Sequence, residues 1–158
     1  MTRRPLLALL CTLGLAPRLA PAQGPTPRIE ALHLADADWK KRLSADQYAV
    51  LRQEGTERAG TSPLNDEHRK GRFHCVACDL PLFSSDTKFD SGTGWPSFFT
   101  SLPGAVLTKT DYKLVVPRTE YHCARCEGHQ GHVFDDGPRP TGKRYCNNGV
   151  ALKFVPAA

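Results

Sequence analysis

The sequence has 158 residues, of which 40 % are hydrophobic and 23 % charged, a length and balance typical of one globular domain. Its formal net charge of +5 falls to +2 when the first 22 residues are set aside, because three arginines and no acidic residue lie among them. So small a charge argues against the basic surface of a nucleic-acid-binding domain.

Residues 1–22 have the pattern of an export signal. Arg3 and Arg4 precede an apolar run, Leu6–Ala16, which is too short to span a bilayer as a helix. Ala20-Pro21-Ala22 then offers the small residues that a signal peptidase reads, so cleavage is expected before Gln23. A buried N-terminal helix is the alternative, but three prolines would interrupt it. We expect an exported protein, which in a Gram-negative cell means the periplasm.

Two short helices are predicted at the start of the domain. Residues 23–35 contain two prolines and are predicted to be a flexible lead-in. Residues 36–53 are predicted to be helical in two pieces, with Ser44 capping the second. Trp39 and Leu43 are four residues apart and share one face of the first helix. We interpret both helices as packing elements without chemistry.

From Arg72 onward, short apolar segments alternate with Gly, Pro and Asp clusters. This alternation predicts a mainly β fold for the domain over residues 36–158. The predicted strands are Phe73–Val76, Leu80–Phe83, Ala105–Leu107, Tyr112–Val116, Glu120–Cys123, His132–Phe134, Arg144–Cys146 and Val150–Val155.

Four cysteines form two Cys-x-x-Cys pairs, Cys75 with Cys78 and Cys123 with Cys126. Two such pairs can close the tetrahedral coordination sphere of one Zn²⁺ and leave no position open for water, which predicts a structural metal. In an exported protein the same four could instead form two disulfides. A thioredoxin-like redox pair would need a βαβ context that the pattern lacks. A zinc-ribbon nucleic-acid binder shares the motif, but the low charge argues against it.

The remaining thiol of the predicted domain is Cys146. In an extended segment Arg144, Cys146 and Asn148 project from one face, where a guanidinium favours the nucleophilic thiolate and an amide offers a donor. His129 and His132 follow the second cysteine pair in a polar, Gly-rich segment and can give and take protons. A lone cysteine is otherwise a small buried hydrophobe, and single histidines are often surface or core residues.

Residues 91–98, SGTGWPSF, form a second unusual stretch. Two glycines permit a tight backbone and a proline stiffens the turn, which leaves Trp95 as a large ring at a loop tip. Trp95 either packs in the core or forms an aromatic wall for a small apolar group of a ligand.

Together these segments resemble the B-type methionine sulfoxide reductases, the family that reduces the R epimer of methionine sulfoxide. The resemblance rests on CVACDLPLFSSDTKFD, SGTGWPSF and CARCEGHQGHVFDDGPRPTGKRYCNN, and it extends from about Asp38 to Phe154. It implies two antiparallel sheets with short N-terminal helices and one structural zinc ion bound by the four paired cysteines.

The resemblance also implies roles for single residues. Cys146 matches the family's nucleophile, which attacks the sulfoxide sulfur and becomes a sulfenic acid. His129, His132 and Asn148 match its polar active-site residues, and Trp95 matches the tryptophan that packs on the substrate's methyl group. Arg144 would favour the thiolate.

Three positions depart from the family pattern. Thr93 stands where many members carry a second, resolving cysteine, so we expect an external thiol reductant, such as a thioredoxin-like protein, to recycle the sulfenic acid. Gln130 replaces a common leucine and Gly149 a common serine.

The expected substrates are oxidised proteins and free methionine sulfoxide, and we expect a monomer with no nucleic-acid partner and no membrane span after cleavage. A non-catalytic zinc-binding module and a secreted disulfide scaffold are the alternatives.

Overall fold

The structure, a computed structural model, describes residues 29–158. The predicted export signal and the start of the predicted lead-in lie outside the described residues. Within the lead-in, Ile29, Leu32 and Leu34 pack against the core, and the N–H of Leu32 donates to the carbonyl of Arg125 at 2.6 Å. In this part of the chain no helix is long and apolar enough to cross a membrane.

The predicted helix pair is confirmed. The helices are α1 (Asp36–Arg42) and α2 (Ala45–Gln53). The hydroxyl of Ser44 accepts from the N–H of Gln47, whose side chain accepts from the N–H of Ser44, so two of the orphan donors at the start of α2 are satisfied. Trp39 and Leu43 are buried, which makes α1 and α2 packing elements of the core.

The rest of the domain is mainly β, as predicted. The strands are β1 (Gly71–Cys75), β2 (Pro81–Ser84), β3 (Lys88–Phe89), β4 (Ser97–Phe98), β5 (Val106–Asp111), β6 (Arg118–Cys123), β7 (His129–Phe134), β8 (Arg144–Asn147) and β9 (Leu152–Pro156). They form two antiparallel sheets, a small one in the order β2-β1-β9 and a large one in the order β3-β4-β8-β7-β6-β5.

Aromatic side chains from both sheets form the centre of the core. Phe73 and Phe83 come from the small sheet and Phe98 and Tyr121 from the large one, and all four are fully buried. Phe83 stacks on Phe98 with ring centroids 4.2 Å apart, and Phe73 meets Phe98 edge-on at 4.9 Å. Burial of each ring contributes about 1.5–3 kcal/mol, so the core holds the sheets together.

One predicted strand is wrong. Tyr112–Val116 belongs to the connection between β5 and β6, residues 112–117, which we call the β5–β6 loop. The carboxylate of Asp111, the last residue of β5, accepts from the N–H of Lys113 at 2.8 Å and turns the chain out of the sheet. The apolar side chains that suggested a strand are therefore exposed.

The register of the large sheet determines which side chains share a face. Cys146 on β8 pairs with His132 on β7, which pairs with Glu120 on β6. Arg144 pairs with Phe134, two residues along. Because directly paired residues of neighbouring strands point to the same side of the sheet, the nucleophile candidate Cys146 and His132 lie side by side.

Candidate functional site

The two Cys-x-x-Cys pairs form turns with the same backbone geometry. In the first turn the carbonyl of Cys75 accepts from the N–H of Asp79, and in the second that of Cys123 accepts from the N–H of Glu127, both at 2.9 Å. Asp79 and Glu127 both adopt left-handed conformations, with φ of 64° and 58°. Each turn aims two sulfurs at the same point.

The four sulfurs lie within 4.8 Å of one another. Cys75 Sγ is 3.7 Å from Cys126 Sγ, and Cys78 Sγ is 3.5 Å from Cys123 Sγ. A tetrahedron of sulfurs at about 2.3 Å from a central ion has edges of about 3.8 Å, whereas a disulfide bond measures about 2.05 Å. All four are free thiols, so the cluster can hold a metal ion, and the disulfide alternative does not describe it.

A separate cavity of about 120 Å³ lies beside the fifth free cysteine. We call it the Cys146 cavity. Four of the side chains predicted to form the site line this cavity, and the remaining lining residues were not predicted. Its lining residues are Thr56, Trp95, Arg118, Gly131, His132, Phe134, Cys146 and Asn148.

Cys146 is partly buried in β8. Burial raises the pKa of its thiol above the usual value, while Arg144 and the hydroxyl of Thr93 both act to lower it. Arg144 thus acts in the direction expected from the sequence, but the effect of burial is larger. The thiol can become a nucleophile when a proton acceptor or a higher pH removes its proton.

Arg144 is held next to Cys146 but does not line the cavity. Its Nε and Nη2 each donate to a carboxylate oxygen of Asp136 at 2.8 Å, and its guanidinium lies 4.3 Å from the ring centroid of Phe134. The bidentate pair fixes the guanidinium. The negative charge of Asp136 raises the pKa of Cys146 and so offsets part of what Arg144 does.

His132 lines the cavity beside Cys146. Its Nε2 lies 2.8 Å from Asp111 Oδ2, which also accepts from Nη2 of Arg118 at 2.6 Å. The bond from the N–H of Lys113, and after it the contact with His132, hold the pKa of Asp111 well below its usual range. A permanent carboxylate therefore orients the imidazole.

His129 lies outside the Cys146 cavity. Its Nδ1 is 2.8 Å from Glu120 Oε1, and burial lowers its pKa. It lines a second, polar cavity of about 300 Å³, which also contains Lys109 and His122. A bulge at Gln130 shifts the β6–β7 register. Because of this extra residue, His129 and His132, which are three positions apart, can face the same side of the sheet. The rings of His129 and His132 are 5.5 Å apart.

Both polar groups of the Asn148 side chain are already bonded. Its Oδ1 accepts from the N–H of Glu57 and its Nδ2 donates to the carbonyl of Gln130, both at 2.9 Å. Asn148 therefore joins the loop after α2 to the strand that carries both histidines. This bonding favours a positioning role for Asn148 in the cavity wall.

Glu57 organises the wall that holds Asn148 and Trp95, and no sequence pattern indicated this role. Its carboxylate accepts from the N–H groups of Gly149 at 2.6 Å and Val150 at 2.9 Å. Its carbonyl accepts from Nε1 of Trp95 at 3.1 Å. Thr56 and Arg118 were missed as well, because a polar loop residue and a strand-end arginine carry no local signal of a cavity.

Comparisons with known proteins identify the family of the chain. A family model described as the SelR domain matches residues 43–156. The chain is 56 % identical over 122 residues to the chloroplastic peptide methionine sulfoxide reductase B1 of Oryza sativa subsp. japonica. The matched segment covers 77 % of this chain and 57 % of that relative. It is 54 % identical over 123 residues to peptide methionine sulfoxide reductase MsrB of Agrobacterium fabrum, a match that covers 77 % of this chain and 91 % of that relative.

The chain thus spans less than two thirds of the chloroplastic relative, 57 % of its length, and most of the bacterial one. MsrB of Thiobacillus denitrificans, 54 % identical over 122 residues, is covered over 92 % of its length. With the domain match over residues 43–156, these relatives show that the chain belongs to the MsrB family of peptide methionine sulfoxide reductases.

Proposed function

We propose that this protein reduces methionine sulfoxide to methionine, that it acts on the R epimer, and that Cys146 is the nucleophile. The observation that carries the proposal is the Cys146 cavity, in which one free thiol meets a histidine and an indole ring. A cavity of about 120 Å³ suits the methylsulfinyl end of one side chain rather than a larger ligand.

The reaction transfers one oxygen atom. The Cys146 thiolate attacks the sulfoxide sulfur, and protonation of the sulfoxide oxygen weakens the S–O bond. The oxygen then moves to the sulfur of Cys146 as the substrate S–O bond and the S–S bond formed by the attack both break. This leaves Cys146 as a sulfenic acid and releases methionine two electrons more reduced. An external thiol then condenses with the sulfenic acid and releases water, and a second thiol frees Cys146 from the mixed disulfide.

His132 is the acid in this proposal, because it lines the cavity and Asp111 orients its imidazole. Trp95 forms the wall against the substrate's methyl group. The R and S epimers exchange the positions of oxygen and methyl, so a fixed wall and a fixed proton donor accept only one of them. His129 supports His132 from behind, and Asn148 holds the cavity wall.

The four-cysteine cluster is proposed to hold one structural zinc ion, because tetrahedral thiolate coordination is the chemistry that Zn²⁺ prefers. When bound, the ion supplies folding energy by tying the two turns together.

Thr93 at the position of a resolving cysteine supports direct recycling by an external thiol reductant. Residues 1–22 support export, so we propose repair of oxidised proteins outside the cytoplasm. We also propose that the enzyme is a monomer.

The test is dithiothreitol-driven reduction of R and S methionine sulfoxide by the signal-cleaved protein and by Cys146→Ser. We expect turnover of the R epimer alone and none in the variant. Turnover of the S epimer would contradict the stereochemical proposal. If folded, zinc-loaded protein reduced neither epimer, the chain would instead be a binding module on the same scaffold.

A further inference from the structure

The β5–β6 loop carries the most prominent apolar surface of the described chain. Four large hydrophobic side chains lie exposed within five residues, and only two others in the described part, Leu107 and Val155, are exposed. The exposed fractions in the loop are 75 % for Tyr112, 57 % for Leu114, 102 % for Val115 and 70 % for Val116. Contiguous exposed apolar side chains indicate a contact surface.

The loop begins at the wall of the Cys146 cavity. Asp111 and Arg118 form the last residue pair of β5 and β6 before the loop. Arg118 lines the cavity, and Asp111 bonds His132. Whatever contacts the loop is therefore adjacent to a substrate that reaches Cys146.

The charges in the loop and at its base are paired. The ammonium group of Lys113 contacts a carboxylate oxygen of Glu54, and Arg118 is paired with Asp111. With these charges neutralised, the surface offered beside the cavity is apolar. It suits an apolar partner better than an acidic or basic one.

We propose that the β5–β6 loop is the docking surface for the polypeptide that carries the oxidised methionine, and that it selects segments with apolar residues next to that methionine. The inference rests on the proposed function. The cavity takes only the methylsulfinyl end, so the neighbouring residues of a protein substrate must lie on its rim. Methionines of hydrophobic cores have apolar neighbours, and an unfolded, oxidised segment exposes them.

The test compares two substrates of one enzyme with dithiothreitol as reductant. The first is free R-methionine sulfoxide, and the second is a peptide with R-methionine sulfoxide between leucine and valine residues. We expect the double variant Leu114→Ser/Val115→Ser to lose about tenfold in kcat/KM on the peptide and to keep its kcat/KM on the free amino acid. Val155→Ser, an exposed apolar residue of the small sheet, is the matched control and should change neither.

Each other outcome has a separate meaning. Equal loss on both substrates would show damage to Asp111 and His132 rather than lost docking and would overturn the inference, as would unchanged turnover of the peptide. A loss seen only when thioredoxin replaces dithiothreitol would make the loop a reductant site and would also overturn it. If the unaltered protein failed to reduce free methionine sulfoxide, the proposed function itself would fail.

Discussion

The four-cysteine cluster and the Cys146 cavity use the same side chain in opposite surroundings. In the cluster, four thiols converge within 4.8 Å of one another, and three of the four residues are buried. In the cavity, one thiol stands alone, partly buried, beside a histidine and an indole. Four converging sulfurs leave a metal ion no open position, whereas a single sulfur at a cavity stays free to react.

The two regions also differ in what they join. Cys75 ends β1 of the small sheet and Cys123 ends β6 of the large sheet, so the cluster bridges the two sheets. The Cys146 cavity is built on the large sheet and on loops that pack against it. We therefore expect damage to the cluster to affect folding and damage to the cavity to affect catalysis.

The largest effect should come from Cys78→Ser. Loss of one thiolate leaves three ligands for the ion and uncouples the two turns, so we expect loss of bound zinc and a drop in the free energy of unfolding of about 3–5 kcal/mol or more. Metal content and thermal unfolding measure both. Cys146→Ser is the matched control and should keep metal and stability while losing activity. A Cys78→Ser protein of unchanged metal content would contradict the distinction.

The second prediction separates the two histidines. His132→Gln should lower kcat by about a hundredfold or more, while His129→Gln should lower it by less than about tenfold, because only His132 lines the cavity. Steady-state kinetics with free R-methionine sulfoxide measure the difference. Equal losses would mean that the proton passes through both rings, which lie 5.5 Å apart.

The third prediction concerns the pKa of Cys146. Burial raises this pKa, and only the thiolate reacts with iodoacetamide, so the alkylation rate should rise about tenfold per pH unit through neutrality. Asp136→Asn removes a charge that raises the pKa, and Arg144→Met removes one that lowers it. At pH 7 alkylation should therefore be several-fold faster in Asp136→Asn and slower in Arg144→Met. The zinc-loaded Cys146→Ser protein gives the background rate, and shifts of the opposite sign would contradict this account.

Local patterns predicted the helices and the metal cluster because their determinants are close in sequence. The Ser44 cap acts over three residues, and each cysteine pair is set by its own turn. The cavity depends on contacts that no local pattern contains, such as the bond between Glu57 and Asn148 across 91 positions. The β5–β6 loop was misassigned because an apolar, β-branched run resembles a strand, and only the Asp111 turn leads it away from the sheet.

The smallest effect should come from Glu57→Gln, which tests whether the cavity wall depends on this loop. The amide keeps one acceptor oxygen but loses the second, so either Gly149 or Val150 loses its partner, at a cost of about 1 kcal/mol. The wall that holds Asn148 and Trp95 should loosen, and kcat/KM for free R-methionine sulfoxide should fall about three- to tenfold because reacting groups depend on exact placement. Zinc content should not change, because Glu57 contacts none of the four clustered cysteines through its hydrogen bonds. Loss of metal together with activity would instead mean that the two regions fold as one unit and that their chemistry cannot be altered separately.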